Sequence, residues 1–204
     1  MTTFFLIRHA SCNGLGRTLW GRTPGVCLTE NGKLQAQRLA ERFRGLTLHA
    51  IYSSPLERAI ETAETLGREA KVEVHKDPAF NEIHFGDWTG KSFDALSSDE
   101  CWRRFNNQRQ ATRIPGGESF VEVENRVVNA LDSLRAQYNG ANIAIVSHAD
   151  VIKAAVGYVA TTPIDLLQRI EISPCSVSAV AIDGDSVRLL TINNKSELDQ
   201  LWAG

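Results

Sequence analysis

The distribution of apolar residues along the chain predicts strands that alternate with helices. Residues 3–7 form a short apolar run rich in Phe, Leu and Ile, which is typical of a strand buried on both faces of a parallel sheet. Residues 50–52 and 143–146 form two further short apolar runs. Near the end, alternation at residues 177–181, a turn and a second run at 187–192 predict a hairpin at one sheet edge.

Between these runs, apolar residues recur at helical spacing. One such pattern follows the predicted N-cap Thr29, and a second follows Ser54-Pro55, a typical helix start that places Arg58 in the first turn. A third extends from 120 to 138, and a fourth helix is expected from Asp150. The positions that define the first three are Ala36, Leu39, Ala40 and Phe43; Leu56, Ala59, Ile60 and Ala63; and Phe120, Val123, Val127, Leu131, Leu134 and Tyr138.

This element order predicts an α/β fold, a three-layer α/β/α sandwich with a mostly parallel sheet and an antiparallel edge hairpin. Residues 92–115 are polar and aromatic without a long periodicity, and we interpret them as a small inserted cap. We therefore expect a single domain over residues 1–204. In such sheets, ligands bind beyond the carboxyl ends of the strands.

Composition narrows the function classes. The 204 residues include 22 Lys and Arg against 24 Asp and Glu, a net charge of -2 that predicts neither a nucleic acid nor a membrane as partner. The 4 cysteines are far apart and are interpreted as reduced thiols. No leader or long apolar segment is visible, so a cytoplasmic location is expected. The oligomeric state is not fixed, and a homodimer is compatible with the sequence.

Polar residues suited to phosphate follow predicted strands or begin helices. They are Arg8-His9, Arg58, Glu82 and Ser147-His148. If the strand ends lie on one edge, these groups converge. Hydrolysis of a phosphate monoester needs a nucleophile, positive charge on the phosphoryl oxygens and an acid for the leaving oxygen. A neutral imidazole can be the nucleophile, guanidinium groups bind phosphate in a bidentate manner, and a carboxyl can supply the proton.

Several motifs in this chain resemble those of the histidine phosphatase superfamily, also called phosphoglycerate mutase-like. They are LIRHA (6–10), LTENG (28–32), YSSPLERA (52–59), EIHFGDWTG (82–90), PGGES (115–119) and VSHA (146–149). The resemblance implies that His9 accepts the phosphoryl group, that Arg8, Arg58 and His148 bind phosphate, and that Glu82 donates the proton. It also implies that no metal and no other cofactor takes part.

The chain departs from the family pattern at two positions near the nucleophile. Ala10 replaces a glycine, and Leu15 stands where the family commonly has a phosphate-contacting asparagine. The candidates for that lost contact are Asn13, Arg17 and Arg22, and Ala149 is a further candidate substrate contact. The sequence does not decide among them.

Three functions remain open, and the first is preferred. It is a phosphomonoesterase that acts on a small phosphorylated metabolite. The second is a cofactor-dependent phosphoglycerate mutase, but mutases carry a longer cap and a covering tail, whereas this chain ends soon after the hairpin, at residues 201–204. The third is a non-catalytic phospholigand-binding module, which would have no need of Glu82. A metal-dependent hydrolase is disfavoured because no two histidines have ligand spacing.

Overall fold

The computed structural model describes residues 1–184, 186–196 and 198. Within them, one six-stranded sheet has the order β3-β2-β4-β1-β5-β6. Its strands are β1 (Thr2–Arg8), β2 (Ala50–Ser53), β3 (Val74–Lys76), β4 (Asn142–Ser147), β5 (Val177–Asp183) and β6 (Ser186–Asn194). The pairs β1–β4, β2–β4 and β2–β3 are parallel, whereas β5 runs antiparallel to β1 and β6. The predicted sheet and its edge hairpin are confirmed.

The helices that connect these strands are mostly those that the apolar spacing predicts. They are α1 (Glu30–Arg42), α2 (Glu57–Ala70), α3 (Phe93–Ser97), α4 (Glu100–Asn107), α5 (Phe120–Gln137) and α6 (Ala149–Val159). Short 3-10 helices occur at Pro78–Phe80, Gly86–Trp88 and Ile164–Arg169. Thr29 caps α1 as predicted, because its hydroxyl accepts a hydrogen bond from the amide of Gly32 at 3.0 Å.

Alternate side chains of β1 enter two apolar cores, one on each face of the sheet. Phe5 and Ile7 pack in the core that α1 and α2 cover, and Phe4 and Leu6 pack in the core beneath α5 and α6. All four side chains are at most 2% exposed. Burial on both faces explains the continuous apolar run at residues 4–7, and it confirms the three-layer architecture.

The start of α2 differs from the prediction. The helix begins at Glu57, its N-cap is Leu56, and no side chain caps it. Ser54 is not the N-cap: its hydroxyl accepts from the amide of Leu56 at 3.4 Å, donates to Oδ1 of Asn81 at 3.1 Å and lies 2.8 Å from Nε2 of His148. Arg58 remains in the first turn.

Residues 92–115 contain α3 and α4, which the sequence pattern did not reveal. Their N-caps are Ser92 and Asp99, whose side chains accept hydrogen bonds from backbone amides of the first turn. Helices of 5 and 8 residues are too short to display a clear periodicity. The chain end at 201–204, on which the comparison with mutase tails rests, lies outside the described residues.

Candidate active site

Two histidines meet where the central parallel strands end. His9 directly follows β1 and His148 directly follows β4, with Arg8 opposite Ser147 in the strand register. The amide of His9 donates to the carbonyl of Ser147 at 2.9 Å, and the centroids of the imidazole rings are 5.1 Å apart. The shared strand edge therefore brings together two residues, His9 and His148, that are 139 positions apart in the sequence.

The hydrogen bonds of His9 define the state of its ring. Nδ1 donates to the carbonyl of Ala10 at 2.7 Å, and Nε2 accepts from Nε of Arg58 at 3.3 Å. The pKa of His9 lies well below its usual value of 6.5, because the ring is buried and the guanidinium groups of Arg58 and Arg8 disfavour a further positive charge. The imidazole is therefore neutral at neutral pH, with its lone pair on Nε2.

The arginines beside His9 each retain a buried donor without a hydrogen-bond partner. Arg58 donates from Nη2 to the carbonyl of Gly21 at 2.8 Å, and Arg8 donates from Nη1 to the carbonyl of Ile172 at 2.6 Å. By contrast, Nη1 of Arg58 and Nε of Arg8 have no partner among the described residues. Because unpaired buried donors are costly, such a pair of guanidinium groups favours an anion that can accept from both.

His148 is fully buried next to Arg58. Its Nε2 lies 2.8 Å from the hydroxyl of Ser54, and its Nδ1 lies 3.4 Å from Nη2 of Arg58 and 3.7 Å from Oε2 of Glu82. Burial, followed by the charges of Arg58 and His9, lowers its pKa well below 6.5. The ring is thus neutral, and Nδ1 faces the arginine and the carboxyl.

Glu82 supplies a carboxyl that is partly protonated at neutral pH. Its side chain is 15% exposed, and Oε1 accepts from the amide of Ile83 at 2.9 Å. Burial, reinforced by the negative charge of Asp150, raises the pKa of Glu82 to about 7. Trp88, in the same motif, is buried, and its aromatic neighbours are Trp102 and Phe105.

Arg8, His9, Arg58 and Glu82 line one cavity of about 400 Å³, whereas His148 is not among its described lining residues. The candidate substrate contact Ala149 lines it as well. Residues 92–115 contribute Phe93, Trp102, Asn106 and Arg109. The cavity therefore joins an anion-binding end to a mixed aromatic and polar wall, a composition typical of sites for small organic ligands.

The candidates for the lost asparagine contact are placed elsewhere. Leu15 itself lines the cavity, whereas Asn13 and Arg17 are exposed and are not among its described lining residues. Arg22 donates from Nε to the carbonyl of Glu82 at 2.8 Å and from Nη2 to both oxygens of Glu118 at 3.0 and 3.1 Å. These bonds commit Arg22 to the loop that carries Glu82.

The structure adds a charged pair that the sequence interpretation missed. Nη1 of Arg109 donates to Oδ1 of Asp150 at 2.8 Å, and both residues line the cavity. Although burial acts in the opposite direction, Arg109 lowers the pKa of Asp150, which remains ionised. Asp150 follows the VSHA motif directly, a position that could have marked it, but nothing in the sequence pairs it with a residue 41 positions earlier.

The described part of the chain lacks a metal-binding cluster and a membrane-spanning helix. No group of three or more His, Cys, Asp or Glu side chains there could hold a metal ion. None of the helices described has both the length and the apolar character of a membrane span. The thiols of Cys12, Cys27, Cys101 and Cys175 are free.

Comparison with protein families gives a match over most of the chain. The family model of the histidine phosphatase superfamily (branch 1) matches residues 4–195. A relative named "Probable phosphoglycerate mutase GpmB" from Erwinia tasmaniensis is 30% identical over 188 residues, covering 88% of this chain and 85% of the relative. A protein of the same name from Salmonella choleraesuis is 31% identical over 183 residues, with coverage of 88% and 85%.

Solved structures give a similar result. YhfR from Bacillus stearothermophilus superimposes with a TM-score of 0.90 at 30% identity, covering 97% of this chain and 99% of that one. A phosphoserine phosphatase variant from Entamoeba histolytica, solved with phosphoserine, has a TM-score of 0.85 at 27% identity, with coverage of 97% and 100%. The alpha-ribazole phosphatase from Shigella flexneri has a TM-score of 0.82 at 28% identity, with coverage of 94% and 96%.

Proposed function

The chain belongs to the histidine phosphatase superfamily, whose members act on phosphate esters, and from this premise we propose that it is a phosphomonoesterase acting on a small phosphorylated metabolite. One observation carries the proposal. In a single cavity, a neutral His9 presents Nε2 next to unpaired donors of Arg8 and Arg58, and the carboxyl of Glu82 lines the same space. This arrangement supplies nucleophile, fixed positive charge and acid together.

In the first step, Nε2 of His9 attacks phosphorus, and the bond between phosphorus and the ester oxygen breaks. Glu82 transfers its proton to that oxygen, so that the alcohol leaves uncharged and the carboxylate remains. The guanidinium groups of Arg8 and Arg58 stabilise the charge on the non-bridging oxygens in place of solvent. Because these fixed cations supply the charge, we propose that the reaction needs no metal ion.

In the second step, the carboxylate of Glu82 takes a proton from water while the water oxygen attacks phosphorus. The bond to Nε2 of His9 breaks, phosphate leaves, and both residues return to their initial protonation states. His148 is neutral without an anion, but a bound phosphoryl dianion favours the protonated imidazole. We assign Nδ1 of His148 to donate to the phosphoryl group in that state.

The first experiment tests the covalent intermediate. p-Nitrophenyl phosphate is to be hydrolysed with and without a chelator, and the quenched enzyme is to be analysed by mass spectrometry for an acid-labile phosphoryl group on His9. We expect chelator-insensitive turnover, a phosphorylated His9 peptide, and neither in His9→Ala. Turnover retained by His9→Ala would refute the proposal, and phosphate binding without any turnover across a broad substrate panel would favour a binding module.

Phosphoglycerate mutase activity is a second candidate, which the names of the GpmB relatives favour. The leaving part of phosphoglycerate carries a carboxylate, which calls for a free cation. Residues 92–115 contribute one cation to the described lining of the cavity, Arg109. Its guanidinium already pairs with the carboxylate of Asp150. This pairing supports a phosphatase. A coupled mutase assay with and without bisphosphoglycerate distinguishes the two, since a mutase is active only with it.

A further inference from the structure

The loop that carries Glu82 is packed against the turn at residues 115–118. The amide of Glu118 donates to the carbonyl of His84 at 2.9 Å, and the amide of Asp87 donates to the carbonyl of Pro115 at 3.0 Å. A Cβ atom at Gly117 would overlap the carbonyl oxygen of His84, so only glycine allows this approach. The position of the Glu82 loop therefore depends on the turn.

The carboxylate of Glu118 is the centre of this contact. It accepts from the amide of His84 at 2.9 Å, from Nη2 of Arg22 at 3.0 and 3.1 Å, and from Nε and Nη2 of Arg126 at 3.2 and 3.3 Å. The side chain is 20% exposed. Although burial acts in the opposite direction, the His84 amide and the two guanidinium groups lower the pKa of Glu118. It is therefore ionised at neutral pH.

Both arginines also hold the backbone that bears the proposed acid. Nε of Arg22 donates to the carbonyl of Glu82 at 2.8 Å, and Nη2 of Arg126 approaches the same oxygen at 3.4 Å. Nη1 of Arg126 donates to the carbonyl of Ala79 at 2.6 Å, on the N-terminal side of Glu82. Glu118 thus connects through two guanidinium groups to the peptide of Glu82.

None of Arg22, Glu118 and Arg126 is among the described lining residues of the cavity. Their hydrogen bonds reach the site through the backbone of Glu82, and the charge of Arg126 also contributes to the lowered pKa of His148. Without the carboxylate, two adjacent guanidinium groups would repel each other, because Glu118 is the anion placed between them. A displacement of about 1 Å in a catalytic group can lower a rate on the order of 10²-fold.

We infer that Glu118 is a positioning residue that, through Arg22 and Arg126, fixes the peptide of Glu82 so that its carboxyl reaches the leaving oxygen. The inference rests on the proposed role of Glu82 as the acid. It predicts that loss of Glu118 affects proton delivery to the leaving group while phosphate binding persists.

The leaving group provides the test. p-Nitrophenolate is a good leaving group that departs with little need of a proton. An alkoxide is a poor leaving group and needs a proton from the acid. For Glu118→Gln, we expect kcat/KM for an alkyl phosphate to fall at least tenfold more than kcat/KM for p-nitrophenyl phosphate. The dissociation constant of vanadate should stay within about threefold of wild type, because the guanidinium groups that bind the oxyanion are unchanged. Glu82→Gln should shift the ratio of the two substrates in the same direction.

Glu122→Gln is the matched control. Glu122 lies four residues further on and closes the capping box of α5 with Ser119. The described hydrogen bonds of its side chain are to Ser119 and Arg113 rather than to the Glu82 loop. Because glutamine also closes a capping box, this variant should leave the substrate ratio unchanged and the melting temperature close to that of wild type. Arg22→Lys keeps the positive charge but cannot bridge Glu118 and the Glu82 carbonyl, so it should change the substrate ratio as Glu118→Gln does. It provides the test if Glu118→Gln fails to fold.

The outcomes separate the two levels of inference. A ratio that changes in Glu82→Gln but in neither Glu118→Gln nor Arg22→Lys refutes the positioning role alone. An equal loss with both substrates in the folded Glu118 variant also refutes it, because general destabilisation does not depend on the leaving group. A Glu82→Gln enzyme with the wild-type ratio refutes the proposed acid, and the role of Glu118 with it.

Discussion

Arg58 donates from Nε to Nε2 of His9 across 3.3 Å, so the proposed phosphate-binding residue directly contacts the proposed nucleophile. The contact has two consequences. The guanidinium charge lowers the pKa of His9, which keeps the lone pair available, and the bond holds Nε2 on the side of the ring where phosphate would be bound. One side chain therefore contributes both to nucleophile activation and to anion binding.

Replacement of Arg58 by lysine should reveal this double role. A lysine retains the charge but cannot donate at once to the carbonyl of Gly21, to His9 and to a phosphoryl oxygen. We expect kcat/KM for p-nitrophenyl phosphate to fall by about 10²–10³-fold, the usual effect of losing a preorganised donor. The control is Arg68→Lys, an exposed position on the same helix. Wild-type kcat/KM in Arg58→Lys would contradict the assignment.

The raised pKa of Glu82 predicts how activity depends on pH. The acid must be protonated, and its pKa is raised to about 7, so kcat/KM for an alkyl phosphate should fall by about tenfold per pH unit above that value. Glu82→Gln should lack this limb. Ionisation of the substrate, with a second pKa near 6, affects both enzymes and so cancels in their ratio. An identical high-pH limb in the two enzymes would show that another group is titrating.

The buried histidines should make the fold sensitive to acid. The pKa values of His9 and His148 are lowered on folding, so the unfolded chain binds more protons below about pH 6.5. Stability is therefore full above that pH and falls as the pH decreases. In urea unfolding at pH 7.5 and pH 5, His9→Asn should lose less stability on acidification than wild type. His75→Asn, at an exposed position of β3, should behave like wild type.

The sequence was sufficient for the parts of the site that depend on strand ends. Buried parallel strands are apolar throughout, so the positions where β1 and β4 end, at Arg8-His9 and Ser147-His148, are visible in the pattern. Parallel pairing then brings those ends together. The pattern also made Arg58 and Glu82 candidates, and the motif resemblance implied their roles, because periodicity alone does not distinguish them from other charged residues.

Side-chain commitments could not be predicted in the same way. Ser54 matches an N-cap pattern, but it bonds to Asn81 and lies against His148, so α2 begins later. The sequence made Arg22 a candidate substrate contact, but in the structure its guanidinium donates to Glu118 and to the carbonyl of Glu82. These hydrogen bonds depend on which partners the tertiary fold brings within reach, and the local sequence does not determine those partners.

Arg109 joins the 92–115 segment to the rest of the site, and its removal should destabilise the protein. Its guanidinium lies 4.9 Å from the ring centroids of both Phe105 and Phe120 and pairs with Asp150. Arg109→Met should lower the free energy of unfolding by about 2–3 kcal/mol, less than for a fully buried pair because Asp150 is 20% exposed. Adding Asp150→Asn should recover part of that loss, since no unpaired carboxylate remains. Urea unfolding measures both variants, with Arg103→Met on the exposed side of α4 as control; a double variant less stable than the single one would contradict this account.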